Sequence, residues 1–331
     1  MTRILVTGAS GFIGSAVVAV LARDGHTVRA AVRKSGLSFP DGVEVAQHAD
    51  LTQPVDWRPL LDGVDQVVHL AGIAHTGSRV DAAIYDRVNR LATAQLATAA
   101  AEAGVSRFVF VSSIRAQSGP AADHALTERD PPKPTDDYGR SKLAAEDAVR
   151  ASDVPYTILR PVLLYGPGVK GNFALLARAA ASPLPLPVKD FGNRRSMLGI
   201  DNFISALTFV LSSPETTGET YVVADQGIPP RLSDVFAAMR QATRRWTFIV
   251  PMSPDYVEFP LRLFGRGDMW DRIGGNLRVD AGKLIAAGWR PDHDTLSGLA
   301  AMAQAMAQAM AQARTQAAAP RKSGTASRST R

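Results

Sequence analysis

The run Ile4-Leu5-Val6-Thr7-Gly8-Ala9-Ser10-Gly11-Phe12-Ile13-Gly14 decides the fold. A short apolar, β-branched stretch leads straight into three glycines spaced TGxxGxxG, and helical spacing follows over Gly14–Asp24. A strand that turns this tightly into a helix aims the helix's N-terminal amides at one point. Glycines at these positions let an anionic pyrophosphate come close to the backbone. The pattern predicts a dinucleotide cradle built from Gly8, Gly11, Phe12, Ile13 and Gly14.

Working outward, apolar runs predict strands at Ile4–Thr7, Thr27–Val32, Val43–Gln47, Gln66–Leu70, Phe108–Ser112 and Tyr156–Arg160. Ala-rich stretches predict helices at Gly14–Asp24, Val80–Ala103 and Tyr138–Ala151. Strict alternation of this kind predicts an α/β fold, a doubly wound parallel sheet with helices on both faces. Residues 1–165 read as the nucleotide-binding domain, with 201–225 returning to it. Proline and glycine break the pattern after Pro161, so 166–200 and 226–298 read as a smaller, discontinuous C-terminal substrate lobe. The near-repeat Ala-Met-Ala-Gln predicts a helix over 299–319, and 320–331 has the composition of a disordered basic tail.

Composition narrows the classes. With 331 residues, 46% of them hydrophobic and 21% charged, the chain can bury a full core. It has no cysteine, which excludes disulfides, thiolate metal sites and thiol nucleophiles, and fits a cytoplasmic location. No metal site is expected. The net charge of +6 suggests nucleic acid until it is located: Arg314, Arg321, Lys322, Arg328 and Arg331 supply five of the six charges. The body is nearly neutral, so no nucleic-acid partner is expected, and the tail offers at most weak contact with anionic surfaces. No apolar run approaches the roughly 20 residues of a membrane span.

The residue after the second strand reports on the adenosine ribose, where an acid holds a 2′-hydroxyl and a cation accepts a 2′-phosphate. Arg33 and Lys34 stand there, which favours NADP(H) over NAD(H). Asp50 and Leu51 close the third strand beside the adenine, and Ala71 and Gly72 close the fourth at the sheet edge.

Tyr138 and Lys142 form YxxxK, which puts both on one helix face. A phenol with an ordinary pKa of about 10 acts as an acid or base near neutrality only with positive charge beside it. Ser113 ends the fifth strand at the same edge as the glycine turn, where its hydroxyl can hold the substrate oxygen.

With these residues on the page, the chain resembles the extended short-chain dehydrogenase/reductase superfamily, also called the NAD-dependent epimerase/dehydratase family. Further matches are Val-Val-His-Leu-Ala-Gly at 67–72, Leu-Arg-Pro at 159–161, Tyr-Gly-Pro-Gly at 165–168, and Asp280, Lys283, Leu284, Gly288, Trp289 and Pro291. The resemblance covers residues 1 to about 292. It implies a Rossmann fold, a supporting role for Asn89, Pro161–Leu163 along the nicotinamide, and a homodimer built on the helices that carry Asn89 and Tyr138. It also implies a nucleotide-sugar substrate, with Asn172, Arg194 and Arg195 near its phosphates.

Within that family, Ser113 is followed by Ile114 and Arg115 rather than by an Asp-Glu pair, which argues against dehydration. Val-Ser-Ser-Ile-Arg-Ala-Gln-Ser-Gly resembles UDP-glucose 4-epimerase-like proteins and UDP-4-keto-sugar reductases. Arg33 tips the expectation toward an NADP-dependent reductase, with a nucleotide-sugar 4-epimerase as the alternative. A non-catalytic NADP sensor is a third reading, against which Tyr138 and Lys142 both count.

Overall fold

The computed structural model describes residues 1–74, 80–169, 172–244, 246, 248–265, 267, 270 and 274–318. Its centre is a seven-stranded sheet. In chain order the sheet strands are β1 (Arg3–Thr7), β2 (Thr27–Val32), β3 (Glu44–Gln47), β4 (Gln66–His69), β5 (Arg107–Val111), β7 (Tyr156–Pro161) and β10 (Glu219–Val223). They lie in the order β10-β7-β5-β4-β1-β2-β3 with every pair parallel. The order reverses between β1 and β4, and this switch point opens the crevice in which ligands of such sheets bind.

Both sheet faces are covered, which is why the strands read as continuous apolar runs. Side chains still alternate. Ile4 and Val6 of β1, with Val109 and Val111 of β5, enter one core with α1 (Phe12–Arg23) and α7 (Ile200–Ser212). Leu5, Phe108 and Phe110 enter the other, with Leu96 of α4 (Ala92–Glu102) and Val149 of α5 (Asp137–Arg150). Each fully buried aliphatic side chain contributes roughly 1.5–3 kcal/mol.

The remaining elements lie outside this sheet. They are the paired strands β8 (Leu163–Tyr165) and β9 (Met197–Gly199), then α6 (Asn172–Ala181), α8 (Leu232–Ala242) and α9 (Asp255–Leu263). The short pair β6 (Ala125–Leu126) and β11 (Arg278–Val279) ties the loop after β5 to the chain's later part. After α10 (Gly282–Ala286) comes α11 (Thr295–Ala318), the Ala-Met-Ala-Gln helix. Its first turns dock: Leu299 and Met302 join a third core with Phe173, Val235, Phe236 and Met239.

One element departs from its sequence reading. The helix expected over 80–103 starts as α3 (Ala82–Tyr85), passes through a π-helical stretch, Asp86–Leu91, and continues as α4. Asn89 lies in this stretch and is 1% exposed, on the face that also buries Tyr85, Ala92 and Leu96.

Glu146, fully buried on α5, joins three elements. Its carboxylate accepts from Ser112 Oγ at 2.6 Å, from Arg160 Nε and Nη2 at 2.9 and 2.6 Å, and from Arg150 Nη2 at 2.9 Å. Removing one partner of such a buried pair strands the other charge and costs about 3–5 kcal/mol, whereas replacing both by apolar residues is often neutral. Urea melts should therefore show Arg160→Met losing stability of that order. The double variant Arg160→Met/Glu146→Leu should recover a large part of the loss.

Candidate active site and dinucleotide cradle

The β1–α1 turn is shaped by contacts that leave no room for side chains. Gly8 has φ +68°, and a Cβ on it would stand 2.8 Å from the Ala71 amide nitrogen; one on Gly14 would overlap the Gly8 carbonyl. Gly11 donates its amide to Gly8 O at 2.9 Å and stands at the N-cap of α1, where no side chain caps the helix. The amides of Phe12, Ile13 and Gly14 thus start the helix without a side-chain acceptor, which is what an incoming phosphate requires. A Cβ on Gly72 would meet Asn89 Oδ1 at 2.8 Å, so the β4 edge also lies flat. These residues fit a dinucleotide. Pro161 ends β7 at the same carboxyl edge.

Behind the cradle, a relay of hydrogen bonds was invisible in the sequence. Ala71 N donates to Thr7 Oγ1 at 3.2 Å, and Thr93 Oγ1 donates to Asn89 O at 2.6 Å. His69 lies between the two hydroxyls, with Nδ1 2.7 Å from Thr7 Oγ1 and Nε2 2.9 Å from Thr93 Oγ1. Because the Thr93 proton goes to Asn89 O, Thr93 must accept from Nε2–H, and Nδ1 must accept from Thr7. The ring is therefore the neutral Nε2–H tautomer. Burial, with the Lys142 charge next in weight, pushes its pKa down to about 3.

Asn89 extends the relay. It holds both backbone groups of Ile73, through Ile73 N to Oδ1 at 2.8 Å and Nδ2 to Ile73 O at 3.1 Å, and it donates to Ser141 Oγ at 3.0 Å. Ser141 Oγ in turn donates to Tyr138 O at 2.8 Å. The cradle and helix α5 are thereby one hydrogen-bonded body.

Tyr138, Lys142 and Glu146 lie one turn apart on the inward face of α5, all buried. The Tyr138 hydroxyl hydrogen-bonds the Ser113 side chain; burial pushes the phenol's pKa up, and that bond opposes the shift. Lys142 Nζ donates to Val111 O at 3.0 Å and sits 4.8 Å from the Phe110 ring centre. Burial pushes its pKa down to about 8, opposed by the Glu146 carboxylate.

Ser113 takes an extended conformation at the start of a single 3₁₀ turn, Ile114–Ala116, and accepts from Arg115 N at 3.2 Å. The neighbouring Ser112 hydroxyl is committed to Glu146 instead. Arg115 pairs with Asp136, which also caps α5 by accepting from Gly139 N at 2.7 Å. A Cβ on Gly139 would overlap Arg115 O. The Ser113 loop and the start of α5 are clamped together here by Arg115 and Asp136, a pair the sequence reading did not single out.

The structure does not bring the remaining candidates to this point in the same way. Arg33, read as a 2′-phosphate partner, pairs through Nη1 with Asp50 Oδ2 at 3.0 Å. Asp50 also accepts from Thr52 N and Oγ1, and these bonds first, with Arg33 after them, hold its carboxyl below the usual range. Leu51 is buried in the core beside Trp57. Arg194 Nη1 donates to Pro229 O at 2.8 Å. Arg195 donates to Gly275 O at 2.7 Å and Pro120 O at 3.0 Å, and burial pushes its pKa down to about 10. Both arginines tie loops together. Asn172 opens α6, but its side chain, like Lys170 and Gly171, lies outside the described residues.

A cavity of about 730 Å³ adjoins the Ser113 loop, lined by residues 117–124 on one wall and by Arg262, Trp270, Gly274 and Gly275 on the other. Gln117 on its wall accepts from Arg160 Nη1 at 3.0 Å, so the Glu146 hub reaches the cavity as well.

Residues 4–224 match the model of the NAD dependent epimerase/dehydratase family. The chain belongs to that family. It is an enzyme of the short-chain dehydrogenase/reductase type that uses a pyridine nucleotide. It is 32% identical over 313 residues to a UDP-glucose 4-epimerase of Vibrio cholerae, an alignment spanning 91% of this chain and 94% of that one. It is 33% identical over 213 residues to a ceramide reductase of Caulobacter vibrioides, covering 64% of this chain and 61% of the relative. The structure of MoeE5 in complex with UDP-glucuronic acid and NAD superposes with a TM-score of 0.72 at 26% identity, over 93% of this chain and 99% of that one.

Two measurements probe this geometry. Gly14→Ala should abolish dinucleotide binding in calorimetry and lower the melting temperature, because the added methyl meets the Gly8 carbonyl. Between pH 6.5 and 3 the unfolded chain protonates His69 and the folded chain does not, so acid costs stability in that window at up to roughly 1.4 kcal/mol per pH unit. Urea midpoints of His69→Gln should fall less steeply than wild type from pH 6.5 to pH 4.

Proposed function

We propose that the protein is a nucleotide-sugar 4-epimerase that retains NAD through a closed cycle of oxidation and reduction at C4 of a UDP-linked hexose. The carrying observation is the near-full-length match to a UDP-glucose 4-epimerase, on a chain whose Ser113, Tyr138 and Lys142 converge beside the glycine cradle. The reductase expectation rested on Arg33, and that support weakens once the Arg33 guanidinium is matched by Asp50. A 2′-phosphate there would lie close to a carboxylate, an arrangement that favours a 2′-hydroxyl.

The bound dinucleotide supplies the hydride acceptor and donor. This chain's residues handle the proton and the geometry. Tyr138 removes the proton from the C4 hydroxyl and returns it when the ketone is reduced from the opposite face. Ser113, already bonded to Tyr138, holds the C4 oxygen during both transfers. The Lys142 cation stabilises the phenolate that Tyr138 must be before it takes the proton and becomes again once it has returned it, and Val111 O keeps that ammonium in place.

Denaturing the purified protein should release near-stoichiometric NAD, identified by mass spectrometry. Tyr138→Phe should cut turnover of UDP-glucose by about 10²–10⁴-fold while leaving that NAD content intact. An empty protein that binds NADPH over NADH and turns over only with it would replace this reading with the reductase.

A further inference from the structure

Ser113 and Tyr138 share a hydrogen bond, yet each stands at the end of its element. Ser113 comes two residues after the last of β5, at the start of a single 3₁₀ turn, and Tyr138 is the second residue of α5. The first turn of a helix has amides without intrahelical acceptors, so a group outside the helix must hold it.

One carboxylate serves both ends. Asp136, the N-cap of α5, accepts from Gly139 N at 2.7 Å through Oδ1 and from Arg115 Nη2 at 2.5 Å through Oδ2. Arg115 lies two residues past Ser113, and its amide donates to Ser113 Oγ at 3.2 Å. One oxygen of Asp136 therefore fixes the turn that carries Tyr138, and the other fixes the loop that carries Ser113. The two backbones meet here. A Cβ on Gly139 would overlap Arg115 O, and Lys133 N donates to Gln117 O at 2.8 Å just beside it. The Arg115 and Asp136 side chains are only 18% and 27% exposed, so the pair is shielded from the screening that makes surface ion pairs weak.

The same two residues set opposite charges beside Tyr138. The groups facing it are Ser113 and Arg115 from the loop after β5, Tyr85 from α3, and Asp136 and Lys142 from its own helix. Burial does most to raise the phenol's pKa; the Ser113 bond opposes that rise, Asp136 and Tyr85 add to it, and Arg115 opposes it. Arg195 places a further positive charge next to Arg115. While the pair is intact, the Arg115 and Asp136 charges act on Tyr138 in opposite directions.

We propose that Arg115 and Asp136 are a positioning pair, whose ion pair holds Ser113 and Tyr138 in one alignment and which acts through those two residues rather than on the substrate. The inference rests on Tyr138 as the proton carrier, a role that the epimerase and the reductase share.

Two readouts on the full-length holoprotein separate positioning from folding. Difference absorbance of the phenolate, each protein against its own Tyr138→Phe counterpart, follows the Tyr138 titration without substrate. Arg115→Met removes the charge that lowers the midpoint and should move it up. Asp136→Asn keeps a side chain able to cap α5 and should move it down. The double variant Arg115→Met/Asp136→Asn should return close to wild type, and Arg115→Lys should stay there. Turnover of UDP-glucose should fall about tenfold or more in Arg115→Met and in the double variant, with KM changed by less than about threefold, because alignment is lost while the binding groups remain. Midpoints that stay fixed, or that move the same way in both single variants, would overturn the proposal. So would an Arg115→Met turnover within about twofold of wild type. Midpoints that move as expected in a protein without UDP-glucose turnover would support the pair and refute the epimerase.

Discussion

The Glu146 carboxylate is the point on which the rest of the structure hangs. It is fully buried, and three elements reach it: Ser112 from the end of β5, Arg160 from β7 and Arg150 from its own helix. A lone carboxylate in that position would be very costly; with four short hydrogen bonds it becomes a fixed node. It orients α5, and α5 presents Tyr138 and Lys142. Through Arg160 and Gln117 the same node braces the wall of the adjoining cavity. At the other end of the site the neutral His69 does the same work for the cradle, joining Thr7 to the helix that carries Asn89.

Much of this was legible in the sequence, for identifiable reasons. The glycine turn depends on what side chains would obstruct, and an absent side chain is easy to read: Gly8, Gly11 and Gly14 stand where the spacing put them. The parallel sheet follows from apolar runs whose two faces are both covered, and the six strands read from the sequence match to within a residue at each end. Lys142 is found by the i, i+4 rule, and the same rule extended one turn reaches Glu146, so the hub could have been found.

What was not legible depends on contacts between distant segments. Asn89 is singled out only by the resemblance, because its bonds to Ile73 and Ser141 reach segments 16 and 52 positions away and nothing local in Asp86–Leu91 announces them. Arg33 and Asp50 are 17 positions apart at the ends of neighbouring strands, and nothing in the spacing announces that they pair. Arg194 and Arg195 are placed near phosphates by the resemblance alone; the carbonyls they bond are 35 to 80 residues away, which no local pattern announces.

The central claim is that hydride leaves and returns to the same carbon within one protein. It is tested most directly by supplying UDP-glucose deuterated at C4, without added dinucleotide, and following the label by NMR. A closed cycle predicts formation of the C4 epimer with deuterium still at C4. No epimer, or an epimer whose C4 has lost its deuterium, would contradict the account.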